Sequence, residues 1–353
     1  MSNRQKIKRT AETYSKMALS HKAQGDVASA LRMAEKAAAL NPRSQEIRLQ
    51  YADLLLVTGD FERGFAEYAA SQESSYAAKF PDVPIWNGED PRGKAILFGT
   101  MNHVSDLVMF ARYIPIIAEL GAEVIVASPL NCGRLLGTVG GVTRLAVYDV
   151  GVDSEPIEVN AFCPTRTAPL IFKTSLDSIP AKIPYLLPDA GKVEFWKGCL
   201  NSLCPGQLKV GLACGNEVSL SDLRPLFNIP GVQIWDLHPA MKAVEAKGEP
   251  SSMAVFSGVF EKFDLADLAA MIQNLDLVVS TDNYVAHLAG ALGKSVWLLC
   301  RFSASWVWLL QRQDSPWYPT MKIFRQPVSG DWKTVVELAA AEITQEAVLK
   351  RNR

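Results

Sequence analysis

Ala18, Gly25 and Asp26 recur as Ala52, Gly59 and Asp60, each 34 positions further along the chain. A fixed offset of this length constrains the fold more than any single helix pattern does, because one supersecondary unit is repeating and must bury its apolar face against the next. In the first unit Tyr14, Ala18, Ala30, Ala37 and Pro42 fall where a helix-turn-helix pair packs. The small alanines let two helices approach closely, and Pro42 closes the second helix. The second unit keeps Tyr51, Ala52, Gly59, Gly64 and Tyr68. An unrelated four-helix cap is the alternative reading.

Thirty-four residues is the tetratricopeptide period. Two units fall short of the roughly three that make an independent stack, so residues 1–75 are expected to lean on the rest of the chain or on a second copy. Such surfaces hold peptides or proteins in a concave groove, which sets docking of a protein partner or an acceptor as the expected role.

The 353 residues correspond to two or three domains at about 150 residues each. Hydrophobic residues at 48% and charged residues at 21% fit a globular chain and exclude a disordered or disulfide-scaffold one. With 36 Lys and Arg against 37 Asp and Glu, no overall field draws the chain to nucleic acid or anionic lipid. Cys132, Cys163, Cys199, Cys204, Cys214 and Cys300 are scattered, with one C-x4-C pair and no second pair to complete a zinc site, so they read as free thiols and no metal is expected. The basic N-terminus lacks a following apolar stretch of signal type, and apolar runs such as 52–57 and 296–300 are far below the ~20 residues of a membrane span. No transmembrane segment and a cytoplasmic location are the expectations.

Beyond the connector at 71–75 and a turn-rich stretch over 80–88, the texture changes to alternating strands and helices. Strands are expected at 95–100, 123–127 and 144–148, with helices at 105–120 and 132–139. A weak, proline-rich interval over 154–188 should hold loops and short elements. The alternation restarts with strands at 209–213, 232–237, 277–280 and 295–300, and with helices at 220–227, 265–275, 284–292, 305–310 and 332–343. Continuous apolar strands such as Ala95-Ile-Leu-Phe98 and Val124-Ile-Val-Ala127 suit parallel sheets covered on both faces. The expected organisation is α/β: an all-α repeat segment at 1–75, then Rossmann-like domains at 76–195 and 196–353. Ligands of such folds sit outside the carboxyl ends of the strands, which directs attention to the loops after Phe98, Leu212, Leu237, Val279 and Leu299.

The segment Asp276-Leu-Val-Val-Ser-Thr-Asp-Asn-Tyr-Val-Ala-His-Leu-Ala-Gly-Ala-Leu-Gly-Lys294 is the most informative in the chain. A strand enters a helix capped by Asp282 or Asn283, leaving first-turn N–H groups for an anion, with His287 about one turn further on. The same residues also describe a well-capped core helix, and the residues alone leave both readings open. A helix terminus contributes ~0.3–2 kcal/mol to a nearby charge, whereas micromolar binding needs ~8 kcal/mol. Other groups must share the work.

The pattern S-x-D-x-x-x-A-H-L-A-G-A-L-G-K-x-V-W-L-L over 280–299 resembles the C-terminal motif of heptosyltransferase-like glycosyltransferases, in the branch with N-terminal tetratricopeptide repeats. The resemblance extends through Trp306-Val-Trp-Leu-Leu310, Asp314-Ser-Pro-Trp-Tyr-Pro319 and Phe324-Arg-Gln326, and upstream through Pro84-Ile-Trp-Asn-Gly88. It implies a GT-B pair of Rossmann-like domains that transfers a sugar from a nucleotide-sugar donor, held by the C-terminal half, to a protein or glycan acceptor at the N-terminal half. Inversion without metal or other cofactor is implied as well. Carried onto this chain, Asp282, Asn283 and His287 fall near the donor diphosphate, joined by Gly215, Asn216, His238 and Arg301. Asp106, in the acceptor-side loop with Asn102, His103 and Ser105, falls on the carboxylate proposed in the family as base. A carboxylate suits that work if it reaches the hydroxyl at ~2.6–3.2 Å; the alternative role for Asp106 is the N-cap of the helix that follows.

The chain departs from the family pattern at the cleft. His103 and Ser105 stand where the family loop has glycines, Glu217-Val-Ser-Leu-Ser-Asp222 replaces a basic stretch, and Ala304-Ser-Trp-Val-Trp308 lacks an acid and an arginine that Arg301 could replace. Asn283 replaces a Thr and His238 a Gln. A degenerate GT-B protein that binds nucleotide sugar or acts as a scaffold is therefore the alternative to a transferase. Gly137-Thr-Val-Gly-Gly141 precedes a strand instead of following one, which removes a dinucleotide fingerprint. No G-x-S-x-G elbow is present, and the four histidines, His21, His103, His238 and His287, give no triad or metal spacing. Trp297, Trp306, Trp308 and Trp317 read as core.

Overall fold

The structure, a computed structural model, describes residues 3–79, 82–100, 103–148, 157–237, 253–254 and 264–352. Four helices open the chain: α1 (Asn3–Ala23), α2 (Val27–Leu40), α3 (Gln45–Val57) and α4 (Phe61–Lys79). Ala18, Ala30, Ala34, Ala37 and Ala52 are fully buried where these helices approach one another. Asp26 accepts from the Ser29 N–H at 3.0 Å to cap α2. Gly25 and Gly59 adopt φ of 80° and 87° in the two matching turns, a conformation that disfavours a Cβ and explains why both repeats hold glycine there.

A four-stranded parallel sheet follows, built from β1 (Ala95–Gly99), β2 (Glu123–Pro129), β3 (Val142–Tyr148) and β4 (Ala161–Pro164) in the order β3-β2-β1-β4. Its helices are α5 (Val104–Phe110), α6 (Ile114–Glu119), α7 (Gly133–Leu136) and α8 (Ala168–Ile171). The single helix expected over 105–120 is interrupted by a 3-10 turn at Ala111–Tyr113. Pro115 causes this, since it offers no N–H and its ring would meet the Ala111 carbonyl of a continuous α-helix. The segment containing Trp86 docks beside β4, its N–H donating to the Phe162 carbonyl at 2.8 Å.

The second half contains α9 (Ala190–Leu203), β5 (Leu208–Ala213), α10 (Leu220–Phe227), β6 (Val232–Asp236), β7 (Met253–Ala254), α11 (Leu265–Gln273), β8 (Leu277–Ser280), α12 (Tyr284–Ala291), β9 (Val296–Cys300), β10 (Met321–Arg325) and α13 (Trp332–Arg351). Its strands form a parallel sheet in the order β10-β9-β8-β5-β6-β7. Every residue of β8 and β9 is buried, as a doubly covered sheet requires. The helix expected over 305–310 is only a 3-10 turn at Trp306–Trp308, which stops at Leu309 with φ 49°. The last helix continues past 343 to Arg351. The sequence-based limits at 75 and 195 fall inside α4 and α9, two helices whose apolar faces pack onto the units that follow.

One core runs through all three parts. Phe61 stacks on Trp317 at 5.9 Å, and Phe65 meets both Phe110 of the first half and Trp306 of the second, at 6.4 and 5.5 Å. The turn at Gly25 lies against Phe302 and the turn at Gly59 against Leu176. Each repeat turn thus docks on a different half. Between the halves, buried Arg112 donates to the carbonyls of Met109, Pro180 and Trp317 at 2.8, 3.1 and 2.7 Å, and lies 4.9 Å from the ring centres of Tyr185 and Tyr318. Trp297, Trp306, Trp308 and Trp317 are all buried, as expected of core residues.

Candidate functional site

Strand order reverses once in each sheet, between β1 and β4 in the first and between β5 and β8 in the second. At such a point the chain leaves neighbouring strands toward opposite sides, opening a crevice at their carboxyl ends where α/β sheets bind ligands. The described sequence-derived candidates lie at or beside these two places.

At the first crevice, α5 begins at Val104 and puts Asp106 in its first turn, while Arg166 follows directly after β4. Arg166 Nε and Nη2 donate to the two oxygens of Asp106 at 2.7 and 2.9 Å. Such a fork-to-carboxylate pair is short, charge-assisted and geometrically fixed. The guanidinium lies 4.4 Å from the ring centre of Tyr68 on α4, so the helical repeat forms the third wall. Burial pushes the Tyr68 phenol up to about 12, and Asp106 holds the Arg166 guanidinium firmly protonated. Asp106 is not the helix cap: His103 occupies that position, extended at φ −125° and exposed, with no side-chain cap bond. Ser105 is half-buried beside it, and Asn102 lies outside the described residues.

At the second crevice, Asn283 caps α12. Its Oδ1 accepts from the Val285 N–H at 2.9 Å and its Nδ2 donates to the Ala213 carbonyl at 2.6 Å. That amide ties the start of α12 to the end of β5, which gives Asn283 a positioning role. His287 is buried, its Nδ1 2.9 Å from the Tyr318 hydroxyl and its ring stacked on Trp308 at 5.2 Å. Burial, with the charges of Arg112 and Arg166, pushes its pKa down to about 3. Asp282, whose side chain is 33% exposed, has an oxygen 3.8 Å from His287 Nε2. Burial of its inner side pushes this carboxyl up to about 6, with the Glu217 charge adding to the rise and Arg301 opposing it. With the histidine neutral, the two are not an ion pair.

Gly215 turns the chain after β5 with φ 55°, leaving Asn216 exposed. Glu217 then reaches Arg301, whose Nη2 lies 2.8 Å from Glu217 Oε1. The cation carried over as a phosphate partner is therefore already engaged by a carboxylate. His238 lies outside the described residues. Arg166 stands near enough for its charge to act on His287, and the Asp53 charge, from α3 of the repeat, adds a minor rise to Asp282. Among the described residues no three ligating side chains gather around a metal position, and no helix is long and apolar enough to cross a membrane.

Sequence reasoning missed Arg166, Tyr68 and Asp53. Arg166 follows β4, a four-residue strand ending in proline inside a proline-rich interval, so no periodicity marked its position. Tyr68 was visible as a repeat residue, but only the docking of α4 onto β4 turns it toward the crevice.

Residues 22–69 match the tetratricopeptide repeat family model. Protein FlbA of Caulobacter vibrioides is 27% identical over 363 aligned residues, covering 90% of this chain and 59% of FlbA, so the chain spans less than two thirds of that relative. The glycosyl transferase family 9 structure from Veillonella parvula superposes with a TM-score of 0.51 at 11% identity, covering 74% of this chain and 97% of that one. Escherichia coli ADP-heptose lps heptosyltransferase II gives a TM-score of 0.49 at 14% identity over 72% of this chain and all of that one. The fold is that of a GT-B-like pair of Rossmann-like domains preceded by tetratricopeptide repeats.

Proposed function

We propose that the chain is a glycosyltransferase that takes a sugar from a nucleotide-sugar donor and places it on an acceptor hydroxyl. The observation carrying this reading is the packing of α5, which holds Asp106, against α12, which holds His287 and follows Asp282, each helix standing beside the strand-order reversal of its own sheet. In this reading residues 76–195 receive a protein or glycan acceptor, residues 196–353 hold the donor beside α12, and residues 1–75 dock the acceptor or a partner.

Transfer with inversion then needs one base and no metal. The acceptor O–H proton passes to Asp106 as its oxygen bonds to the anomeric carbon, and the bond to the donor diphosphate breaks on the opposite face. A carboxylate offers about four lone-pair sites, of which Arg166 takes one on each oxygen, leaving one on each for a hydroxyl. Asp282, when protonated and so neutral, can donate to a phosphate oxygen, whereas the ionised form repels it.

A second reading is supported by the same Asp106–Arg166 pair, because a carboxylate whose charge is neutralised by a guanidinium is a weaker base: a nucleotide-sugar-binding or scaffold protein without turnover. Titration calorimetry with UDP, GDP, ADP and dTDP in the absence of metal, followed by turnover with the matching sugar nucleotides, separates the two. Binding with sugar release to an acceptor supports the transferase. Binding without transfer supports the second reading, and a folded protein that binds none of the four overturns the donor site itself.

A further inference from the structure

A cavity of about 380 Å³ lies between the α1–α2 turn and the segments after β9 and β10, apart from the α12 crevice. Its walls include Val27, Ala28 and Val57 from the repeat and Phe302, Arg325 and Gln326 from the second half. The volume falls within the range of small-molecule sites, about 300–1,000 Å³. What distinguishes it is unmet hydrogen-bonding capacity. Arg325 Nη2 donates to the carbonyls of Trp308 and Leu309 at 2.9 and 3.1 Å, but its Nε and Nη1 are buried with no partner. Gln326 is 4% exposed, and its Oε1 accepts from the N–H groups of Phe302 and Gly330 at 3.1 and 3.2 Å while its Nε2 has no partner.

Three buried donor atoms on two adjacent residues, one of them a guanidinium, thus lack acceptors. Native proteins leave few such groups. The other charged groups at the cavity are committed elsewhere. Lys22 pairs with Asp53 at 3.2 Å, and the Asp26 carboxylate caps α2. The wall itself is strained, with Leu309 and Gln311 at φ 49° and 54°, and such strain persists where the surroundings enforce it.

We infer that this cavity binds a small organic oxyanion, a carboxylate or a phosphate group beside an apolar part, with Arg325 and Gln326 supplying the donors and Val27, Val57 and Phe302 the apolar contact. The site belongs to the junction of the repeat and the second half, so its occupancy is set by both. It is independent of the donor reading above.

The test is calorimetric titration of the full chain with two probes, benzoate and phenyl phosphate, alongside Arg325→Met, Ala28→Phe and Asp282→Asn. Saturable binding of either probe is expected, and which one binds more tightly identifies the head group. Arg325→Met should weaken it about tenfold or more, the loss of one charge-assisted hydrogen bond. Ala28→Phe, at an exposed helix position on the cavity wall, should block binding while the protein stays folded. Asp282→Asn should leave it in place. No saturable binding of either probe to the folded wild type overturns the inference, as does binding retained in both Arg325→Met and Ala28→Phe. Loss in Asp282→Asn alone would assign the probes to the α12 crevice and also overturn it.

Discussion

Arg166 grips both carboxylate oxygens of Asp106, at 2.7 and 2.9 Å, across the strand-order reversal of the first sheet. Removing either charge leaves the other buried without its partner. Arg166→Met strands a buried carboxylate and is expected to cost about 3–5 kcal/mol, read as a lowered urea midpoint. Asp106→Asn keeps the shape but strands the Arg166 cation, so the urea midpoint should fall here too, and the folded variant should lose turnover while retaining donor binding. Full turnover in Asp106→Asn would place the base elsewhere.

Asp282 brings pH dependence to the donor side. Its folded pKa of about 6 lies above the ordinary carboxylate value, so the group favours folding below that ordinary value, and the benefit is lost as pH rises toward 6. On the proposed donor reading, the same charge change should govern phosphate binding. Nucleoside diphosphate affinity should fall as pH climbs through about 6, and comparison with Asp282→Asn separates this from titration of the ligand. An unchanged pH profile in Asp282→Asn would remove Asp282 from the site.

His287 behaves in the reverse sense. Depressed to about 3, its pKa keeps the ring neutral and contributes stability above the normal histidine value that is lost progressively as pH falls toward 3. Imidazole NMR signals should show His287 not titrating between pH 5 and 8, and His287→Gln should flatten part of the acid limb of the stability curve.

Gly290 sits where α12 crosses Tyr318. A Cβ there would lie 2.5 Å from the tyrosine ring, which is fully buried and cannot swing away. Gly290→Ala is expected to destabilise by about 1–3 kcal/mol, the usual cost of overpacking. Because Tyr318 also meets His287, the variant should shift the His287 signals as well. An unperturbed melting curve would show that the helix can retreat freely.

The repeat is not an independent unit. Phe65 is 1% exposed, and Phe65→Ala should cost about 3–5 kcal/mol. Removing residues 1–75 would bare Phe110, Trp306 and Trp317 together, so an aggregating product is expected; a well-folded monomer would contradict the shared core.

Much of this was legible in the chain. The 34-residue offset marks the paired helices because every unit must solve the same packing problem, and the glycines at 25 and 59 mark turns with positive φ. The run into α12 was legible because a buried strand, a cap and a line of small residues all point one way. What was hidden depends on docking between distant segments. Asp106 could be read as a cap or a base, yet its partner Arg166 lies 60 positions away in an interval without periodicity. Arg301 looked free for phosphate until the fold brought Glu217, 84 positions earlier in the chain, against it.

The shared aromatic core also has a consequence for synthesis. Phe61 and Phe65 leave the ribosome roughly 240 residues before Trp306 does, and at about 5–20 residues per second that interval is on the order of ten to fifty seconds. Until then only Phe110, of the aromatic residues that Phe61 and Phe65 meet in the two halves, is available to cover the face they form. Slower translation of the stretch between Phe110 and Trp306 would therefore lengthen the time for which that face is only partly covered.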